Sequence, residues 1–369
     1  MNFDELKLEY GKYPSTMSAA ERMKKYMAGE VVDHIPYSLH TVNESIVNLC
    51  GHTISELNDD FEVFAEVTER AKEQFGLEGI NIRLSLRTMG VAMGSTARYP
   101  ENGIDSISDH ILKDYDDWNR LNAIDPFSNE VLKPLIDRGY QVVKRFPNAA
   151  LTTGVVGPLS TAIAVRPIEK VLRDTKKDPK NLKKLLSLCV DNSLLWVEAF
   201  TKEFGGGSAS ISEPVATSDI ISKSQFDEFV FPEMQRLVEG LKEITGAKPS
   251  LHICGHTKKI WEDLMRLDIS SFSVDNCEDL AELKAVMGDY CPIIGNVPPV
   301  EVLRYGTIDD VIQSVITCLK KAADSPKGFI LASGCSVPIG TSEENLMAYV
   351  YAARKYGRNA QKGVAFDSL

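Results

Sequence analysis

Short, largely apolar runs alternate along this chain with longer stretches in which apolar residues recur at spacings of three and four, the pattern of buried strands alternating with amphipathic helices. The runs cover residues 35–39, 79–84, 150–156, 208–212, 250–254, 271–275, 292–297 and 329–333. They read as parallel strands buried on both faces. Helical periodicity fills 179–204, 223–245, 258–267, 279–287, 308–323 and 343–356, and Ser18-Ala19-Ala20-Glu21 offers a capping box near the start. Eight strands alternating with helices predict an α/β fold, a (β/α)8 TIM barrel, as a single domain over residues 1–369. Residues 1–30 read as a helical extension, and 85–149 as an insertion-like region holding extra helices or a hairpin.

The frame says where chemistry should fall, because such barrels gather their active site at the C-terminal ends of the strands. Glu213 closes the fourth run, His252 and Cys254 the fifth, Asp275 the sixth and Asn296 the seventh, and Cys335 follows the eighth. Residues two apart on a strand share a face, so His252 and Cys254 can grip one ion, and Cys335 can join them across the barrel mouth. One imidazole and two thiolates suit Zn2+ and leave its fourth position open, as in a catalytic rather than a structural site.

Composition narrows the function further. The 369 residues are 43% hydrophobic and 25% charged, enough for a large core, and the formal net charge of -11 speaks against nucleic acid as a partner. No apolar run is long enough to span a membrane, and Met1-Asn2-Phe3-Asp4-Glu5 lacks a signal-peptide pattern, so a cytoplasmic protein is expected. Seven scattered cysteines suit reduced thiols better than a disulfide framework. Cys50, Cys189, Cys277, Cys291 and Cys318 are expected as small buried residues, and His34, His40, His52 and His110 as residues without chemistry. Gly205-Gly206-Gly207 is expected to cap a helix rather than cradle a phosphate.

Further residues carry the resemblance of this chain to a known family. His252-Ile253-Cys254-Gly255 and Gly334-Cys335 occur with Asp275-Asn276, Ile294-Gly295-Asn296-Val297 and Ser342-Glu343-Glu344-Asn345-Leu346. Earlier come Glu21-Arg22, Asp33-His34-Ile35-Pro36, Gly157-Pro158-Leu159 and Ser212-Glu213-Pro214. The chain thereby resembles the uroporphyrinogen decarboxylase superfamily, and within it the zinc- and corrinoid-dependent methyltransferases. The resemblance implies a barrel fold, with zinc on His252, Cys254 and Cys335. It implies methyl transfer between a corrinoid (cobalamin) and a small substrate, most simply a thiol such as coenzyme M. No Asp-x-His-x-x-Gly corrinoid signature occurs in the chain, so the cobalamin should arrive on a corrinoid-binding partner protein. A homodimer stays open.

Two zinc ligands that are thiolates and one neutral histidine make a site without net charge, suited to holding a substrate thiol as thiolate. The opposite direction, demethylation of a methoxyaromatic or methylamine donor onto Co(I), would use oxygen ligands. Glu213 could then be an exchangeable ligand or a general acid, with Glu228 fifteen positions later on the next helix. Asp275 and Asn296 are candidates for positioning substrate or fixing the histidine tautomer, the bland alternative being bonds to neighbouring loop backbone. Arg83 and Arg87 could meet an anionic substrate or form salt bridges, and His256 could support the site or merely head the following helix. Tetrapyrrole decarboxylation is disfavoured, because Tyr37-Ser38-Leu39-His40-Thr41 stands where that activity needs arginines.

Overall fold

The computed structural model describes residues 1–121 and 123–366. The chain forms two compact units, Gly79–Ser270 and Met1–Glu78 with Ser271–Leu369.

In the unit Gly79–Ser270, strands β1 (Ile80–Arg83), β4 (Leu151–Val156), β5 (Ser210–Ser212) and β6 (Ser250–Ile253) run parallel in that order. Their registers set Arg83 beside Gly154, Val156 beside Ser212, and Ser212 beside His252. The insertion-like stretch holds an antiparallel hairpin, β2 (Thr96–Arg98) with β3 (Ser106–Asp109), and helices Thr88–Ala92 and Lys133–Arg145. The expected hairpin and extra helices are therefore both present. The long helix Pro179–Phe204 buries Trp196, whose indole N–H donates to Thr153 Oγ1 of β4 at 2.9 Å. It ends at Gly205, whose φ of 85° only glycine adopts readily, so the glycine cluster begins with a helix cap as expected.

In the unit Met1–Glu78 with Ser271–Leu369, strands β7 (Ser271–Val274), β8 (Ile293–Val297) and β9 (Phe329–Ser333) run parallel in sequence order. The expected strand over 35–39 is reduced to a single parallel bridge, Tyr37 with Leu331 of β9. Its hydrogen bonds run from Ser38 N–H to Leu331 O and from Leu331 N–H to Pro36 O, at 2.9 and 3.0 Å. Pro36 has no N–H to extend the ladder, so this run lies on β9 without forming a regular strand. The N-terminal extension is two helices, Phe3–Tyr10 and Ala19–Met27. Ser18 Oγ accepts from Glu21 N–H as the sequence suggests, but the Glu21 carboxylate does not return the bond and pairs with Lys25 at 2.8 Å. Buried Arg22 and half-buried Asp33, both inside the motifs that carry the resemblance, form a pair at 2.6 Å, and Arg22 also donates to Met17 O at 2.7 Å. Glu21-Arg22 and Asp33-His34-Ile35-Pro36 thus staple the N-terminal helix to the segment on β9. Among the described residues, no helix is long and apolar enough to cross a membrane.

Candidate metal centre

Strand β6 alternates burial residue by residue: Leu251 and Ile253 are buried, whereas Ser250 and His252 are half-buried. Cys254 follows one residue beyond the strand and keeps the parity of His252. The consequence is direct contact, His252 Nε2 lying 3.1 Å from Cys254 Sγ. A tetrahedral ion with Zn–N near 2.0 Å and Zn–S near 2.3 Å holds such atoms about 3.5 Å apart, so a slight opening of the pair admits it. Among the described residues, the group of side chains suited to holding a metal ion is His252, Cys254 and Cys335, each half-buried. A nitrogen and two sulfurs are soft donors, which fits Zn2+ better than Mg2+ or Ca2+.

The turn after Cys254 is fixed by packing. Gly255 has φ 71°, and a Cβ there would lie 2.6 Å from Thr217 Oγ1 and 2.7 Å from Asp219 Oδ2. Asp219 accepts from His256 N–H at 3.0 Å and contacts His256 Nδ1 at 2.9 Å, while Ser218 N–H donates to His256 O at 2.8 Å. His256 therefore serves to tie the turn to residues 217–219, and its backbone N–H, with its exposed imidazole second, holds the Asp219 carboxyl below its usual range.

Glu213 is fully buried, one residue past β5. Its Oε2 accepts from Leu159 N–H and its Oε1 from Ser160 N–H, both at 2.9 Å, and Ser160 Oγ–H donates to Oε1 as well. These amides open the helix Pro158–Val165, so the carboxylate caps that helix from a neighbouring strand. A Cβ on Gly157 would collide with the Glu213 carboxylate, which explains a glycine ahead of Pro158. Burial pushes the Glu213 carboxyl up to about 7, against the lowering effect of the Ser160 and Leu159 donors. Both oxygens accept bonds from the helix start, and Glu213 is not among the residues of the metal-ligating group. In this structure the Glu213 carboxylate is bonded to the start of a neighbouring helix. Sequence reasoning missed its partner Ser160, although Gly157-Pro158, a turn followed by proline at the first helical position, marks the helix start.

Cys335 lies two residues past β9, on a loop whose Gly334 N–H donates to Val297 O at 2.9 Å. Gly334 passes so close to Asn276 that a Cβ would sit 2.5 Å from its backbone nitrogen. Asn276 belongs to a turn in which Asp275 Oδ1 accepts from Cys277 N–H at 3.1 Å. Asn296 is buried and spends both amide hydrogens on that turn, donating to Asp275 O at 3.0 Å and Glu278 O at 2.8 Å. Both donor hydrogens of Asn296 thus serve the loop, the bonding named as the alternative to substrate contact.

The remaining expectations divide. Arg83 is exposed at the end of β1, and Arg87 half-buried ahead of Thr88–Ala92. Glu228 is exposed and pairs with Lys183 at 3.0 Å, a surface contact. Cys189, Cys291 and Cys318 are buried as expected; Cys50 is half-buried and Cys277 exposed, because Cys277 sits on the Asp275 turn rather than on a strand. None of the seven cysteines is in a disulfide.

Residues 18–356 match the uroporphyrinogen decarboxylase (URO-D) family model, and the chain belongs to that family. Several curated relatives that align over more than nine-tenths of this chain are named methyltransferases. Methylcobamide:CoM methyltransferase MtaA of Methanosarcina barkeri is 25% identical over 360 residues, covering 93% of this chain and 99% of that protein. Methylcobamide:CoM methyltransferase MtbA of Methanosarcina acetivorans is 23% identical, covering 91% of this chain and 97% of that protein. Among solved structures, a methyltransferase from Methanosarcina mazei superposes with a TM-score of 0.79 at 21% identity, covering 92% of this chain and 99% of that one. The fold is the (β/α)8 barrel-like fold expected from the alternation of strands and helices.

Proposed function

We propose that this protein is a zinc-dependent methyltransferase that moves a methyl group from a methylated corrinoid, carried on a partner protein, to a small thiol such as coenzyme M. The reading rests on the donor group His252, Cys254 and Cys335. The names of the relatives, methylcobamide:CoM methyltransferases, supply the corrinoid and the thiol class. Zn2+ on these donors would supply an open coordination position at which a thiol loses its proton at neutral pH. The chain's own residues do the rest. His252 offers Nε2 from the half-buried face of β6, Gly255 and Asp219 lock the turn that aims Cys254, and Glu213 holds the helix start beside β5. Substrate thiol and methylcorrinoid give a thioether, Co(I) corrinoid and one proton, so no external redox partner is needed. Cysteines held as thiols rather than disulfides among the described residues suit a reducing, cytoplasmic setting.

The opposite direction, demethylation of an ether or amine donor, drew its support from Glu213 as an exchangeable oxygen ligand or a general acid. With its carboxylate oxygens bonded to Leu159 and Ser160, Glu213 favours the ligand role less than the soft donors favour a thiol.

The test is to load the protein with zinc, add methylcobalamin and a panel of thiols, and follow the cobalamin spectrum. One thiol should discharge the methyl–cobalt band, and Cys254→Ala should abolish both zinc retention and discharge while keeping the native circular dichroism. If no thiol reacts but a methoxyaromatic or methylamine methylates Co(I), the direction proposed here is wrong.

A further inference from the structure

Residues 40–45 grip the Cys335 loop at both of its ends. His40 N–H donates to Ser333 Oγ at 3.2 Å, and His40 O accepts from Val337 N–H at 3.0 Å. Ser45, fully buried, donates its single Oγ–H to Val337 O at 2.7 Å, with Thr41 O at 2.9 Å sharing the same hydrogen. Ser333 and Val337 stand two residues before and two residues after Cys335, so these bonds bracket the thiol. The grip is anchored in turn, with His40 Nε2 3.1 Å from Ser273 Oγ of β7. It also bends the chain sharply, Thr41 taking φ 57°, a left-handed conformation uncommon for a β-branched residue and retained only where the surroundings enforce it. On the opposite flank, Asn276 and the Asn296-bonded turn close against Gly334.

We propose that residues His40 to Ser45 form a positioning clamp that holds the Cys335 thiol ready for the metal before the metal arrives. The proposal rests on the reading of Cys335 as a zinc ligand. A ligand on a free loop must be ordered at the moment of binding; one fixed by hydrogen bonds at both ends has met that cost during folding. Ser45, Ser333 and the His40 backbone are positioning groups and not ligands, so their effect should appear in metal affinity. A merely structural tether would lower stability and leave affinity alone.

The experiment compares wild type, Ser45→Ala, Ser333→Ala and Tyr26→Phe. Tyr26 OH accepts from Phe329 N–H at 3.0 Å at the far end of β9, so its variant removes a buried bond from the same strand without touching the Cys335 loop. Zinc affinity is measured by competition with a chromophoric chelator, and melting temperature alongside. Both serine variants should bind zinc about tenfold or more weakly, the usual cost of losing an outer partner of a metal ligand. Ser333→Thr, which keeps a hydroxyl, should restore affinity, and Tyr26→Phe should melt earlier with unchanged affinity. The two serines lie on separate segments, so a folding failure in one leaves the other to decide. Serine variants that bind zinc as tightly as the wild type overturn the clamp. The parent reading is judged separately, on the wild type loaded with Co2+: absence of an intense thiolate-to-cobalt absorption band refutes the ligand set, and the clamp with it.

Discussion

His252 Nε2 and Cys254 Sγ stand 3.1 Å apart at the close of β6, a proximity produced by strand parity and kept by the glycine that follows. Strand geometry puts the two side chains on one face, but Cys254 lies past the last strand residue and needs the turn to hold it there.

Gly255→Ala therefore acts on the metal pair from outside it. An alanine at φ 71° is strained, and its Cβ would press on Thr217 and Asp219 at 2.6 and 2.7 Å. We expect a stability loss of about 1–3 kcal/mol, typical of overpacking, and a weaker zinc site as the turn moves. Denaturant unfolding with and without zinc measures both effects. Equal loss in the two conditions would show that the turn does not govern Cys254.

Asn296→Ala separates loop support from substrate contact. Removing an amide that satisfies Asp275 O and Glu278 O leaves two carbonyls without their donor, a cost of about 2–3 kcal/mol. Because both donor hydrogens serve the loop, the KM for the thiol should change far less than the melting temperature. A large rise in KM in a folded variant would restore the substrate-binding reading.

The parity of β6 was legible in the sequence because a period of two needs no tertiary knowledge, and the strand-end rule pointed to His252, Cys254 and Cys335 by the same logic. The place of Glu213 was not. Its partners Leu159 and Ser160 lie more than fifty residues away in sequence, and only the parallel pairing of β4 with β5 brings that helix start beside it. Asn296 was ambiguous for a related reason, since an amide at a strand end looks the same whether it faces a ligand or a turn. Residues 35–39 misled in a simpler way: their apolar run is real, but Pro36 removes the N–H that a ladder needs. His40 carries its role in backbone atoms, which its residue type does not advertise.

Glu213 gives stability a pH dependence of known sign. Its carboxyl titrates at about 7 in the fold against 4.5 in the unfolded chain, so the folded state binds the proton more tightly. The corresponding stabilisation is fully present below pH 4.5 and is lost as pH rises through 7, amounting to about 3 kcal/mol over that window. Glu213→Gln keeps the shape and removes the titration. It also turns an NH2 group toward a backbone donor, Leu159 N–H or Ser160 N–H, for a further loss of about 1–3 kcal/mol. The wild type should therefore exceed the variant in stability most at pH 5 and progressively less toward pH 8. Taking the difference between the two proteins cancels the other carboxylates, including Asp33, which Arg22 holds far below its usual range. A difference that stays constant from pH 5 to pH 8 would mean that the helix-start amides keep Glu213 ionised throughout, with burial the weaker influence.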